Sequence, residues 1–311
     1  MSESILSIKN VTKVYGDYTA LNDVSFEVPK GSVFGLLGPN GAGKTSLIRI
    51  ITNITQADKG SIMLNGVNTK DLQRGTIGYM PEERGLYKKM KISEQLEYFA
   101  ALRGLTKKEG KERIGYWLDK MKISDWAYKK VEELSKGMQQ KIQFIATVMH
   151  NPSFLILDEP FSGLDPVNTE LLKEEILNLN RQGTTLMFST HRMEQVEEIC
   201  DRIVLISKGE NVLENEVSTM KQLWKDDLFH VIFERMIDPI SDLIEGIEIT
   251  NQKENEIWLK TPSLSILNQF ITQQVSKNNM LMGMQEILPS LNEIFIKTVS
   301  GQRRKNMPEA S

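Results

Sequence analysis

The sequence predicts an α/β fold with a mainly parallel sheet core, followed by a small C-terminal α+β domain. Apolar runs of strand length alternate with helix-length segments as far as Ser207, an order that places helices on both faces of a parallel sheet. One run, Val33 to Leu37, leads through a glycine-rich turn into an apolar helical pattern that starts at Leu47. Strand, glycine turn and helix in direct succession indicate where the sheet presents its functional edge.

Two parts of the first 220 residues depart from that alternation. The segments Ile5 to Tyr15 and Val24 to Val28 alternate apolar and polar residues, which predicts an N-terminal antiparallel β part. From Ser93 to His150 the spacing is helical, so we expect an all-helical insert at about 90–150. Ser93 suits the N-cap of its first helix, with Glu94 in the first turn, although Leu96 rules out a full capping box.

Beyond Thr219 the pattern changes to short strand-like pieces and one helix. The pieces Phe229 to Phe233 and Glu256 to Leu259 precede a helical segment, Leu264 to Ser276. We therefore expect a large domain at 1–220, a small accessory α+β domain at 227–300, and a disordered tail at 301–311.

Composition limits the possible functions. The chain has 311 residues, 40% of them hydrophobic and 25% charged, as in ordinary globular proteins. Its net charge of −3 gives no general attraction for nucleic acid. The single cysteine, Cys200, excludes an internal disulfide, and with no leader-like N-terminus we expect a reducing cytosol. No apolar run is long enough to span a bilayer, so any action at a membrane would need another polypeptide.

The glycine-rich turn fits the phosphate-binding pattern G-x-x-x-x-G-K-[ST]. Its residues are Gly38, Pro39, Asn40, Gly41, Ala42, Gly43, Lys44, Thr45 and Ser46. Glycines let successive backbone N–H groups point at phosphate oxygens, and the following helix adds its positive N-terminal end. Lys44 can reach β- and γ-phosphates, and the Thr45 hydroxyl can bind Mg²⁺. The stretch predicts a nucleoside triphosphate site.

A second pattern supplies carboxylates. The apolar run Phe154 to Leu157 ends in Asp158 and Glu159, and a buried parallel strand would deliver both acids beside the phosphate loop. Asp158 is predicted to hold Mg²⁺ through its water shell, because Mg²⁺ dehydrates reluctantly. Glu159 is predicted to face the γ-phosphate and act as general base on the attacking water.

A third pattern, Leu134-Ser135-Lys136-Gly137-Met138, opens a helix shortly before that acidic strand. With it, the chain resembles the ATP-binding subunit of ATP-binding cassette (ABC) transporters, whose corresponding helix usually begins Leu-Ser-Gly-Gly-Gln. Lys136 and Met138 depart from that pattern in the manner of exporter-type subunits. The resemblance implies a P-loop NTPase fold, ATP and Mg²⁺ as cofactors, and a γ-phosphate contact from Ser135, Lys136 and Gly137 across a dimer interface.

Other residues follow in the order usual for that family. The resemblance implies that Tyr15 stacks on adenine, that Asp165 belongs to a dimer-contacting loop, and that His191 contacts the γ-phosphate. The two remaining histidines, His150 and His230, match no motif and are expected to be structural.

Glu82 stands where the family commonly has glutamine, after the strand end Ile77-Gly78-Tyr79-Met80-Pro81. A carboxylate there can still bind Mg²⁺ or orient water, but it adds negative charge near the triphosphate. The variant sequence from Pro81 to Tyr87 resembles a subgroup of exporter subunits linked to sodium or drug efflux. The segment Leu291 to Phe295 resembles the close of the C-terminal domain of that subgroup.

The resemblance implies a cytoplasmic ATPase, peripheral at the inner face of the cell membrane. It would work with a polytopic membrane (permease) subunit and a second copy of itself or a homologous ATPase subunit, and no nucleic acid is expected. Two alternatives stay open. A soluble ABC ATPase acting on the ribosome or DNA is disfavoured by the single cassette, the single cysteine and the lack of sustained heptads. A non-hydrolysing regulatory subunit is disfavoured by the intact Glu159 and His191.

Overall fold

The computed structural model describes residues 3–73, 75–238 and 244–300. The chain separates into two compact units, one reaching to Val217 and the other beginning at Ser218. The strands of the described part are β1 (Ser4–Tyr15), β2 (Tyr18–Pro29), β3 (Val33–Leu37), β4 (Lys59–Leu64), β5 (Val67–Asn68), β6 (Ile77–Met80), β7 (Phe154–Asp158), β8 (Thr185–Ser189), β9 (Arg202–Ser207), β10 (Glu210–Glu216), β11 (Leu228–Phe233), β12 (Glu248–Lys253), β13 (Glu256–Lys260) and β14 (Leu281–Ile287). The helices are α1 (Lys44–Ile51), α2 (Ile92–Leu102), α3 (Lys107–Lys120), α4 (Lys136–Val148), α5 (Pro166–Arg181), α6 (Met193–Ile199), α7 (Val217–Leu223), α8 (Leu264–Ser276) and α9 (Leu291–Val299).

The first unit contains the predicted parallel sheet. Its order is β10-β9-β3-β8-β7-β6, and every neighbouring pair is parallel except the edge strand β10 with β9. All residues of β3, β7 and β8 are buried, as expected for central strands covered on both faces. The predicted α/β class is confirmed.

The predicted N-terminal antiparallel part is also present, as a sheet of order β2-β1-β4-β5. Strand β2 begins at Tyr18, six residues before the predicted Val24, and pairs with β1 in a hairpin that turns at Gly16 with φ +59°. The two sheets share one core, in which Phe26 and Phe34 stack with ring centroids 5.5 Å apart. Leu47 and Ile48 of α1 are fully buried in the same core, and each buried side chain of this size contributes about 1.5–3 kcal/mol.

Helices α2, α3 and α4 form the predicted helical insert, but the predicted start of its first helix is wrong. Lys91, not Ser93, is the N-cap residue of α2, and the Glu94 carboxylate accepts the Lys91 backbone N–H at 3.2 Å. The cause is a contact distant in sequence. Lys91 pairs with Lys130 in an isolated β-bridge, and the Ile92 N–H donates to the Lys129 carbonyl at 3.0 Å. This pairing fixes the N-cap of α2 two residues earlier than the local sequence pattern predicts.

The second unit is the predicted small α+β part. Its antiparallel sheet has the order β12-β13-β11-β14, and alternate residues of β11 are buried. Phe233 meets Phe270 of α8 edge to face, with centroids 6.1 Å apart, in a core to which the described residues contribute nine buried apolar side chains. The sequence missed β12 and β14, whose burial patterns do not alternate. The predicted disordered tail at 301–311 lies outside the described residues.

Within residues 3–73, 75–238 and 244–300, no helix is long and apolar enough to cross a bilayer.

Candidate functional site

The register of the parallel sheet brings the predicted site residues to one edge. Leu36 of β3 pairs with Ser189 of β8, and Ser189 pairs in turn with Asp158 of β7. Met80 of β6 lies beside Leu157, one residue earlier on β7. The segments that follow these four strands therefore leave the sheet side by side, at its carboxyl edge.

Two glycines of the loop between β3 and α1 have no room for a side chain. Gly38 has φ +149°, and a Cβ there would lie 2.1 Å from the Ile206 carbonyl oxygen. Gly43 has φ +110°, and its Cβ would lie 2.5 Å from the Ala20 carbonyl oxygen. Because both obstacles are backbone atoms, they cannot rotate away, so the curled loop requires glycine at both positions.

Lys44 begins α1 and turns back over the loop. Its Nζ donates to the carbonyl oxygens of Gly38 at 2.6 Å and Pro39 at 3.1 Å. Burial lowers the pKa of Lys44, while the negative charges of Asp158, Glu159 and Glu82 act in the opposite direction. The Lys44 ammonium is partly desolvated and lies in the field of three carboxylates. It marks the place where the negative charge of an anionic ligand would be neutralised.

The donor set next to Lys44 suits Mg²⁺. Asp158 is buried, with 5% of its surface exposed, and its pKa is raised mainly by that burial and further by Glu159 and Glu82. Thr45 lies in the first turn of α1. Carboxylate and hydroxyl oxygens are the hard ligands that Mg²⁺ prefers, usually together with water and substrate phosphates. No group of three or more His, Cys, Asp or Glu side chains placed to hold a metal is present in the described ranges.

Glu159 follows β7 directly and is held by the segment that follows β8. Its Oε1 accepts the His191 backbone N–H at 2.9 Å and lies 2.6 Å from His191 Nδ1. Its Oε2 accepts the Thr190 hydroxyl at 3.1 Å, and its backbone takes the left-handed conformation, φ +49°. The carboxylate is thus oriented by three contacts. Thr190 was missed by sequence reasoning, and its position between a buried strand and His191 is the only indication that could have found it.

Known proteins are similar to this chain in sequence and fold. The family model described as "ABC transporter" matches residues 21–162. The chain is 43% identical to the uncharacterized ABC transporter ATP-binding protein YhaQ of Bacillus subtilis, over 95% of this chain and 98% of that protein.

The chain belongs to the ABC transporter ATP-binding proteins.

It is also 38% identical to the linearmycin resistance ATP-binding protein LnrL of B. subtilis, over 67% of this chain and 68% of that one. Among solved structures, an ATP-binding subunit of an ABC transporter matches with a TM-score of 0.67 and 29% identity, over 71% of this chain and 93% of that chain. A dimeric bacterial ABC transporter cassette matches with a TM-score of 0.63 and 25% identity, over 68% of this chain and 98% of that chain. As an ABC cassette, the protein binds ATP and hydrolyses it.

Two tyrosines of the cassette lie at the β1–β2 hairpin. Tyr15 ends β1 with 44% of its surface exposed, and the Lys13 ammonium lies 5.2 Å from the centre of its ring. Tyr18, which sequence reasoning missed, donates its hydroxyl hydrogen to the Gly41 carbonyl at 3.1 Å. The hairpin is therefore tied directly to the phosphate loop.

Ser135 and Asp165, two further predicted site residues, lie at the starts of α4 and α5. Ser135 caps α4 by accepting the Met138 N–H at 3.2 Å, and Asp165 caps α5 by accepting the Asn168 N–H at 3.0 Å. These cap hydrogen bonds lower the pKa of Asp165. A Cβ on Gly137 would lie 3.0 Å from the Gly163 carbonyl oxygen, so the start of α4 packs closely on the loop before α5. Within the described part of the chain, no hydrogen bond joins residues 135–137 to the phosphate loop.

Proposed function

We propose that this cassette is the ATP-hydrolysing subunit of an ABC exporter, acting with Mg²⁺, with a second ATPase subunit and with a membrane subunit. The observation that carries the proposal is the Glu159 carboxylate, held by Thr190 and His191 beside Lys44 at the carboxyl edge of the sheet. A fixed carboxylate next to a phosphate-binding loop can accept the proton of an attacking water.

The site residues divide the chemistry of phosphoryl transfer among them. The loop Gly38–Ser46 and the Lys44 ammonium bind and orient the triphosphate, and Tyr15 supplies a ring for adenine. Thr45 and Asp158 would hold Mg²⁺, which neutralises charge on the phosphates. Glu159 receives the proton of the attacking water, and His191, which also holds Glu159, donates to the γ-phosphate.

Glu82 stands at the same edge, and its charge reaches both Lys44 and Asp158. We assign it one of two roles: a further oxygen ligand to Mg²⁺, or a hydrogen-bond acceptor that orients the attacking water. A carboxylate suits either task, since it accepts hydrogen bonds from water and coordinates hard cations.

A second copy of the chain, or a homologous subunit, completes the γ-phosphate site. Ser135 and Lys136 are exposed at the N-terminal end of α4, which is suited to an anion and has no phosphate-loop partner within the described chain. Asp165 follows in the loop packed against them. The similarity to a dimeric cassette supports two such subunits facing each other, with ATP between the phosphate loop of one and the α4 start of the other.

The membrane subunit would dock on the helical insert and the adjoining segment Pro81–Tyr87, placing the cassette at the inner face of the cell membrane. A groove of about 570 Å³ lies between the end of α1, the approach to β6 and the end of α2. Ile54 and Leu102 line it with 62% and 49% of their surfaces exposed, which suits an apolar helix. The direction of transport is proposed as export because the relative LnrL is named for resistance to linearmycin.

The test is Glu159→Gln, which removes the base but keeps a side chain able to bond with Thr190 and His191. We expect ATP hydrolysis to fall by at least about 100-fold, as for loss of a general base, while ATP produces a stable dimer. Light scattering with and without ATP and Mg²⁺ measures that dimer, with wild-type protein and the nucleotide-free variant as controls. A variant that stays monomeric at saturating ATP contradicts the two-subunit site, and one that retains wild-type hydrolysis contradicts the role of Glu159.

A further inference from the structure

Arg84 crosses from the segment after β6 to the loop after β7, 78 positions later in the chain. Its Nη2 donates to the Ser162 carbonyl oxygen at 3.1 Å. Ser162 precedes Gly163, which has φ +77°, and a Cβ on that glycine would lie 3.2 Å from Arg84 Nη2. The guanidinium therefore lies directly against the loop that leads to Asp165.

Two glutamines of α4 hold the two ends of this contact in place. Gln143 donates to the Pro81 carbonyl at 2.7 Å, at the start of the Arg84 segment. Gln140, which is 1% exposed, donates to the Pro160 carbonyl at 2.8 Å, at the start of the Ser162 loop. Both segments are thus hydrogen-bonded to α4, the helix that begins after Ser135. Arg84 adds a direct hydrogen bond between the two segments themselves.

The chemistry of the contact makes it selective for arginine. Its acceptor is a backbone carbonyl, so the bond needs a long side chain with a directed N–H group and no particular residue at position 162. Arg84 is half-buried, and its Nε is buried without a partner in the described residues.

We propose that Arg84 is a positioning residue that transmits the state of the partner-facing segment Pro81–Tyr87 to the loop Ser162–Asp165. The inference rests on the proposed function, in which the first segment faces the membrane subunit and the second faces the other ATPase subunit. Displacement of the first segment would move the second through the Arg84–Ser162 bond, and with it the surface that closes on ATP. In this role Arg84 acts through Ser162 and not by contact with the nucleotide or the reacting water.

The experiment compares Glu159→Gln with the double variants Glu159→Gln/Arg84→Met and Glu159→Gln/Arg84→Lys. The concentration dependence of the ATP-induced dimer is measured by light scattering, and ATP affinity by binding of a fluorescent ATP analogue to dilute monomer. We expect Arg84→Met to weaken the dimer about tenfold, equal to about 1.4 kcal/mol, with ATP affinity of the monomer unchanged. Arg84→Lys, which keeps one N–H donor, should recover part of that loss. Arg181→Met is the matched control, because it removes an exposed arginine at the end of α5.

The outcomes separate this inference from the proposed function. If Glu159→Gln itself forms no ATP-dependent dimer, the two-subunit site is wrong. If it dimerises and Arg84→Met leaves the dimer affinity unchanged, the positioning role is wrong. A general fall in melting temperature together with weaker ATP binding in the monomer would show a merely structural arginine and overturn the inference equally.

Discussion

Thr190→Val should damage both the stability and the turnover of the cassette. Thr190 is fully buried. Its hydroxyl group donates to Glu159 Oε2 at 3.1 Å, and the Thr190 hydroxyl oxygen accepts the Arg192 backbone N–H at 3.1 Å. Valine has nearly the same shape but offers neither bond. The substitution therefore removes two hydrogen bonds without opening a cavity.

The magnitude follows from the two bonds. The hydrogen bond to the Glu159 carboxylate is one to a charged group, which contributes about 1.5–3 kcal/mol. Loss of the second bond costs little, because Arg192 is exposed and its N–H can form a hydrogen bond with water instead. We expect the free energy of unfolding to fall by about 2 kcal/mol. Glu159 keeps both contacts to His191, so its carboxylate is loosened and not released. We therefore expect kcat to fall about tenfold, less than the 100-fold that a full 1 Å misplacement of a reacting group can cost.

Thr190→Ser is the control, since it keeps the hydroxyl and loses only a methyl group. Urea denaturation gives the free energy of unfolding, and steady-state ATP hydrolysis gives kcat and KM. KM should change little, because Thr190 contacts Glu159 and not the phosphate loop. A valine variant with the serine variant's kcat would refute the view that Thr190 orients Glu159.

Two further predictions concern nucleotide binding and pH. Lys44→Ala removes the half-buried ammonium and should weaken ATP binding at least tenfold, measured by calorimetry; unchanged affinity would contradict the phosphate-loop assignment. Burial lowers the pKa of His150 from 6.5 to about 4, with Arg103 acting in the same direction. Below pH 6.5 His150 binds a proton in the unfolded chain but stays neutral in the folded chain. The free energy of unfolding that depends on neutral His150 is therefore fully present above pH 6.5 and is lost as pH falls towards about 4. After allowance for partial exposure, the loss in the free energy of unfolding is about 2 kcal/mol. Urea denaturation at a series of pH values measures it, and in His150→Asn the free energy of unfolding should change less between pH 6.5 and about 4.

The elements that the sequence predicted well are those with local causes. The run Val33 to Leu37 is apolar at every position, and both it and Phe154 to Leu157 are buried strands. Glycine at 38 and 43 follows from backbone conformations that other residues resist, so the phosphate loop could be recognised without its surroundings. Helix α5 likewise has local markers at its observed limits, with Pro166 in its first turn and Arg181 in its last.

The predictions that failed depended on partners far away in sequence. The start of α2 is decided by the Lys91–Lys130 bridge, and no periodicity around Ser93 contains that contact. Strands β12 and β14 are edge strands with many exposed positions, so neither shows the alternation that identifies a half-buried strand.

By itself, the sequence determined the parallel α/β core, the phosphate loop and the strand-end acids, because short-range pattern and glycine conformation encode them. Only the tertiary structure decided what surrounds those groups. Thr190 donates a hydrogen bond to Glu159, Tyr18 donates one to the phosphate loop, and Arg84 donates one to the Ser162 carbonyl. These contacts depend on which segments the folded chain brings together, and a linear pattern carries no record of that.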